Sequence, residues 1–120
     1  MSATTELPGT CTWLDGKRAV VETPEEIDLV TAPTLRCALV DLLEEHRNLL
    51  VLDMANTTFM DSTGLGVIVG AIKRTRAAGG VVVLAAAPER ILRVLRITGI
   101  VKVLPCFATL PEAFAYLERP

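Results

Sequence analysis

The residues with the clearest capacity for chemistry are 61–66, which read Asp-Ser-Thr-Gly-Leu-Gly. They lie where a nine-residue loop (54–62) meets a predicted helix, and long surface loops often carry function. Ser62 occupies the position of an expected helix cap, because its hydroxyl can accept an N–H hydrogen bond. A phosphate there would meet unpaired amides and the positive end of the helix dipole. The local pattern therefore fits a plain capping serine or a serine that carries a phosphoryl group.

The helix that follows Ser62 has two unlike faces. At about 100° per residue, Leu65, Ile68, Val69 and Ile72 point toward a sheet. The opposite face is small and partly apolar, and it carries Thr63, Gly66, Val67, Gly70 and Arg74. Glycine costs a helix about 1 kcal/mol relative to alanine, so solvation alone does not explain two of them. We predict that Gly66, Val67, Gly70 and Arg74 bind a partner protein.

The elements around this helix alternate between strand and helix patterns. An apolar hairpin over residues 11–22 surrounds an Asp15-Gly16 turn, and a helix capped by Thr31 carries apolar residues at helical spacing. The remaining predicted segments are strands at 49–52, 81–86 and 100–104 and helices at 63–78, 89–98 and 109–117. Such alternation implies parallel crossovers, so we predict one α/β domain with a mixed sheet, an N-terminal hairpin and about four helices.

Composition limits the classes of function. The chain has 120 residues, of which 51% are hydrophobic, and a formal net charge of −2. We expect no nucleic-acid partner, because there is no surplus of cations to displace counterions. We expect no membrane partner, and residues 1–10 lack a secretion pattern, which predicts a cytoplasmic protein. Cys11, Cys37 and Cys106 show no metal-type clustering, so reduced thiols and no metal are expected.

Several segments together resemble the STAS-domain anti-sigma factor antagonists. They are residues 26–28 (Glu-Ile-Asp), 31–36 (Thr-Ala-Pro-Thr-Leu-Arg), 59–66 (Phe-Met-Asp-Ser-Thr-Gly-Leu-Gly), 89–92 (Glu-Arg-Ile-Leu) and 97–99 (Ile-Thr-Gly). The likeness spans about residues 17–118, and residues 61–66 are its most specific part. It predicts a STAS domain over residues 10–120, preceded by an N-terminal extension over residues 1–9.

The resemblance implies a phosphorylation switch. In that family the serine matching Ser62 is phosphorylated by an anti-sigma factor that is also a serine kinase. The unphosphorylated form binds this kinase and releases a sigma factor, and a serine phosphatase resets the phosphorylated form. Asp28 matches an acidic residue beside the serine, and Asp61, Thr63 and Gly64 match its immediate neighbours. The resemblance therefore implies a binding protein rather than an enzyme, without a cofactor of its own.

The chain departs from the family pattern in one place, and a second function stays open. The family commonly has glycine before the Glu-Ile-Asp triplet, whereas here Pro24-Glu25 precedes it. Glycine permits backbone shapes that glutamate avoids, and Glu25 adds charge near the proposed interface. The alternative function is a STAS docking or scaffold domain in a sensory or transport assembly.

Other chemistries fit the residues less well. Asp53 ends a strand, as a receiver phosphoacceptor does, but the earlier hairpin supplies no adjacent pair of carboxylates at a strand end to hold a metal. Gly64, Gly66 and Gly70 are spaced like part of a dinucleotide loop, yet the acidic residue at the end of the next strand is missing. The only histidine, His46, lies at a predicted helix end, where an exposed or dipole-stabilised imidazole is expected rather than a general base.

Overall fold

The chain folds around a five-stranded mixed sheet. A computed structural model describes residues 11–118, so the predicted extension over residues 1–9 lies outside the described part. The strands of this sheet are β1 (Cys11–Asp15), β2 (Arg18–Glu22), β4 (Leu49–Asp53), β6 (Val81–Ala85) and β7 (Cys106–Phe107). Their order is β1-β2-β4-β6-β7; the β1–β2 pair is antiparallel and the other pairs are parallel. A separate parallel pair joins β3 (Glu26–Ile27) to β5 (Phe59–Met60).

Four helices cover the two faces of the sheet. They are α1 (Ala32–Glu44), α2 (Ser62–Ala77), α3 (Glu89–Ile97) and α4 (Leu110–Leu117). One core contains Leu50, Leu52 and Leu84 with the buried residues of α1, α2 and α3. The second core joins Val51 and Val83 to α4. Alternate residues of each central strand therefore enter different cores, which explains the unbroken apolar runs and confirms the predicted fold class.

Several predicted element ends are confirmed. Thr109 and Glu112 form a reciprocal capping box at the start of α4, and Gly99 follows α3 with a left-handed φ of 80°. The predicted hairpin is present, but its two-residue loop is Gly16-Lys17 rather than Asp15-Gly16. Asp15 stays in β1 because it pairs with Arg18, which leaves Gly16 to adopt a positive φ of 62°.

The predicted strand over residues 100–104 is wrong. Ile100–Lys102 is a short 3₁₀ helix, and the edge strand begins four residues later, where Cys106 pairs with Leu84. The chain turns at Gly99, and Ile100 and Leu104 are buried from within that turn. The short apolar run therefore did not distinguish a strand from a turn.

The pairing of β3 with β5 was absent from the predicted elements, and two buried threonines support it. The Thr57 hydroxyl donates to the Pro24 carbonyl at 2.7 Å and lies 2.6 Å from the Thr23 hydroxyl. The Thr23 hydroxyl is then the donor to the Thr57 hydroxyl, and the Thr23 amide donates to the Asp53 carbonyl at 3.0 Å. Backbone amides of Thr58 and Phe59 also donate to the Glu25 carbonyl. These bonds tie the loop that follows β2 to the loop that follows β4.

Thr57→Val should destabilise the protein by about 1–3 kcal/mol, because valine keeps the volume and leaves buried polar partners unsatisfied. Urea unfolding of both proteins at neutral pH measures this difference. Thr58→Val is the matched control: Thr58 is exposed and its hydroxyl bond to the Glu25 carbonyl is long, at 3.3 Å. Its expected cost is below about 0.5 kcal/mol. Equal losses in the two variants would contradict the role assigned to the buried pair.

Candidate functional site

Ser62 is the first residue of α2 and its side chain is exposed. The prediction that Ser62 caps this helix is wrong, because Asp61 is the cap and its carboxylate accepts from the Gly64 amide at 2.9 Å. Aspartate and serine cap equally well, and tertiary structure decides between them here. The Asp61 amide donates to the Ile27 carbonyl at 3.2 Å, which holds Asp61 in extended backbone. The Ser62 hydroxyl is therefore not used in capping.

A tight turn places Asp28 beside the start of α2. The Asp28 carboxylate accepts from the Val30 and Thr31 amides, both at 3.0 Å. Thr31 is the N-cap residue of α1, as predicted, but its hydroxyl donates to the Glu26 carbonyl at 2.6 Å and accepts from the Asp28 amide, so it makes no capping hydrogen bond. Hydrogen bonding, first from the Thr31 amide, lowers the pKa of Asp28 below its ordinary value. Asp28 is therefore charged at neutral pH and rigidly held.

The hydrogen bond from the Asp61 amide to the Ile27 carbonyl brings the backbone of Asp28 close to that of Asp61 and Ser62. Asp28 follows Ile27, and Ser62 follows Asp61, so each lies one residue from the atoms of that bond. Gly64 packs against the same carbonyl: a Cβ atom at this position would lie only 2.5 Å from the Ile27 oxygen. The structure thus explains why glycine stands at residue 64, since any side chain would separate α2 from β3.

A groove of about 350 Å³ begins next to Ser62 and runs between α1 and α2. The wall from α2 contains Thr63 and the four predicted partner-binding residues Gly66, Val67, Gly70 and Arg74. The predicted outward orientation of Val67 is wrong, because this residue is only 9% exposed and joins the core. Since α2 packs against α1 as well as the sheet, its buried stripe is rotated toward α1. Val67 consequently forms part of the groove floor.

The opposite wall of the groove was not predicted. It contains Leu29, Ala32, Pro33 and Arg36, from α1 and the turn before it. Leu29 is 72% exposed, and the adjacent Val30 is 82% exposed. The only signal in the sequence was an apolar pair between Asp28 and Thr31 that belongs to no periodic pattern. Such exposed apolar side chains in a hydrogen-bonded turn mark a surface suited to protein contact.

Glu25 and Asp53, which the sequence also brought into consideration, do not line the groove. Glu25 is exposed with a φ outside the positive region, so the family glycine is not needed for this backbone. The Asp53 carboxylate accepts from the Ala55 amide within its own loop. Within residues 11–118, no three His, Cys, Asp or Glu side chains are grouped to hold a metal ion. None of the helices described is both long enough and apolar enough to cross a membrane.

The sequence and the fold match a known family. A model of the STAS domain matches residues 10–113, and the chain belongs to the STAS-domain family. An anti-sigma-B factor antagonist of Bacillus subtilis is 43% identical over 75 residues, which are 62% of this chain and 68% of that protein. An anti-sigma F factor antagonist of Paenibacillus polymyxa is 29% identical over 100 residues, covering 82% of this chain and 86% of the relative.

A solved structure gives the same result for the fold. An anti-sigma factor antagonist from Mycobacterium paratuberculosis superposes with a TM-score of 0.80 at 28% identity. The match covers 91% of this chain and 92% of that protein. The four helices, the mixed sheet and the N-terminal hairpin of the present chain are thus those of a STAS domain.

Alanine substitution should change the stability of the protein in opposite directions at Gly64 and at Gly66. Gly64→Ala places a methyl group against the Ile27 carbonyl and should destabilise the fold by about 1–3 kcal/mol. Gly66→Ala meets no atom within 4 Å and should stabilise the helix by up to about 1 kcal/mol. Thermal unfolding monitored by circular dichroism measures both changes. Shifts of the same sign would contradict the packing described here.

The hydrogen bonds to Asp28 predict a pH effect on stability. Because the folded-state pKa of Asp28 lies below its unfolded value, its contribution is present above the unfolded pKa and is lost as pH falls through the folded pKa. Asp28→Asn should therefore lower the melting temperature at pH 7, and the difference should shrink below about pH 4. Melting curves across this range test it. A constant difference at every pH would show that the carboxylate charge is not involved.

Proposed function

We propose that this protein is an anti-sigma factor antagonist controlled by phosphorylation of Ser62. In its unphosphorylated form it binds an anti-sigma factor that is a serine kinase, and this binding releases a sigma factor. The observation that carries the proposal is the exposed Ser62 on the first turn of α2, next to the capping Asp61, in a member of the STAS-domain family. The relatives from Bacillus subtilis and Paenibacillus polymyxa are anti-sigma factor antagonists, which supports the same role.

The position of Ser62 suits transfer of a phosphoryl group. Its side chain makes no hydrogen bond within residues 11–118, so the hydroxyl is available to attack the γ-phosphorus of ATP held by the kinase. The new O–P bond replaces the bond to ADP, and the hydroxyl proton passes to a base of the kinase. The product phosphate would lie near the amides of the first turn, which stabilise anions. Phosphorylation can therefore occur without unfolding α2.

Electrostatic repulsion explains how the phosphate ends binding. A phosphoserine carries a charge of about −1.5 to −2 at neutral pH. Two unit charges about 6 Å apart repel by about 3 kcal/mol at an effective dielectric of about 20. This energy corresponds to about a hundredfold loss of affinity. Asp28 and Asp61 make the surroundings negative already, so the added charge would act strongly on an anionic partner surface. Hydrolysis by a serine phosphatase would restore the binding form.

Substitution of Ser62 should mimic either the unphosphorylated or the phosphorylated form of the protein. Ser62→Ala should bind the kinase constitutively, and Ser62→Asp should bind at least about tenfold more weakly, since it adds one permanent charge. Titration calorimetry with each recombinant anti-sigma factor kinase encoded in the same genome measures these affinities. The matched controls are Thr12→Ala and Thr12→Asp, which make the same changes at an exposed hydroxyl on β1 outside the groove and should leave the affinity unchanged.

Mass spectrometry of protein isolated from its own cells, grown with and without stress, completes this test. A phosphoryl group on Ser62 whose occupancy changes with conditions supports the switch. Equal affinities of Ser62→Ala and Ser62→Asp, with no phosphate on Ser62 under any condition, would instead favour the docking or scaffold role.

A further inference from the structure

The groove between α1 and α2 combines an apolar floor with two cationic walls. Arg36 lines it from α1 and Arg74 from α2, and the buried Val67 forms part of the floor between them. Within residues 11–118 neither arginine has a hydrogen bond or an ion pair. Two guanidinium groups without acidic partners provide a strong attraction for carboxylates, which arginine binds in a bidentate manner.

Glycine and proline keep this groove open. The Arg74 side chain lies over Gly70, since a Cβ there would come within 2.9 Å of its Nη1 atom. Nothing lies within 4 Å of a Cβ built on Gly66, so the backbone of α2 is directly accessible from the groove. Pro33 supplies a short, rigid side chain on the facing wall. A partner side chain can thus approach the helix backbone closely while its neighbours reach the arginines.

At the rim of the groove, Leu29 and Val30 lie in a turn whose backbone is fixed by hydrogen bonds. Leu29 lines the groove and Val30 follows it, and both side chains are largely exposed. The Asp28 carboxylate and the Thr31 hydroxyl fix the backbone of this turn. A turn that already has its bound shape loses little conformational entropy on association, which favours affinity.

We propose that the groove binds a segment of the anti-sigma factor that carries carboxylates on both sides of an apolar side chain. This inference rests on the proposed function and adds the chemistry of the partner segment. The carboxylates would pair with Arg36 and Arg74, and the apolar side chain would lie on Val67 and against Leu29. Thr63 also lines this groove, so a phosphate on Ser62 would lie at one end of the bound segment. We therefore expect phosphorylation of Ser62 to weaken groove binding.

Charge reversal tests the pairing. Arg36→Glu/Arg74→Glu should weaken binding of the recombinant kinase that phosphorylates Ser62 by at least about tenfold in titration calorimetry. The matched control is Lys17→Glu/Lys102→Glu, which makes the same change in net charge at exposed positions away from the groove, and it should change affinity by less than about threefold. Raising the salt from about 50 to about 300 mM should weaken the wild-type complex more than the complex of the groove variant.

A second pair of variants removes the dependence on a reversed charge. Arg36→Gln/Arg74→Gln keeps polar side chains of comparable length and should give an intermediate loss of affinity. Leu29→Ala should also weaken binding without lowering the melting temperature, because that side chain is mostly exposed. In the kinase, replacing the pairing carboxylates by arginine should restore binding to Arg36→Glu/Arg74→Glu.

The outcomes separate this inference from the proposed function. If Ser62→Asp weakens the complex while both groove variants bind like wild type, the groove assignment is overturned and the switch stands. If wild type binds no anti-sigma factor kinase, the proposed function fails and the groove assignment fails with it. If the groove variants change self-association in sedimentation velocity and leave kinase affinity unaltered, the groove joins two copies of this chain instead.

Discussion

The parallel pairing of β3 with β5 is the contact on which the site depends. Two residues on each side, Glu26 with Phe59 and Ile27 with Met60, join the segments that follow two neighbouring strands of the main sheet. Two such short strands could not persist alone, because an isolated pair is marginal in water. The buried Thr23–Thr57 contact and the bonds to the Glu25 carbonyl keep them together. Through the Ile27 carbonyl, this pairing then sets where α2 begins and how Ser62 is presented.

Periodicity and end signals in the sequence were enough to predict four of the five strands of the main sheet and all four helices, whereas the edge strand β7 was predicted too early in the chain. Long amphipathic segments and residues such as Thr109 and Gly99 define their own structure locally. The β3–β5 pair could not be predicted, since it joins segments about thirty residues apart through backbone bonds that leave no side-chain pattern. Asp61 and Ser62 are equivalent as caps in a sequence, and only the bond to Ile27 selects Asp61. Val67 was misplaced because the packing of α1 on α2 is likewise non-local.

The charges around Ser62 are arranged in two zones. Asp28 and Asp61 accept hydrogen bonds from backbone amides, so their negative charge is fixed in place near the start of α2. Arg36 and Arg74 lie on the walls of the groove and are uncommitted. A group held by several hydrogen bonds reorganises little when another charge arrives, whereas a free arginine can follow a ligand. The two carboxylates therefore form a fixed part of the surroundings of Ser62, while the two arginines remain available to a partner.

Gly64 and Gly66, both at the start of α2, differ in what requires a glycine: packing within the chain explains the first and does not explain the second. Gly64 is required by the fold, because the Ile27 carbonyl occupies the space where a Cβ would lie. No atom of the described chain requires Gly66, which costs helix stability of about 1 kcal/mol relative to alanine. A stability cost without an internal cause is expected at sites where function requires it. The open backbone at Gly66 faces the groove, so the cause for this residue is best sought in a partner that must approach α2 closely.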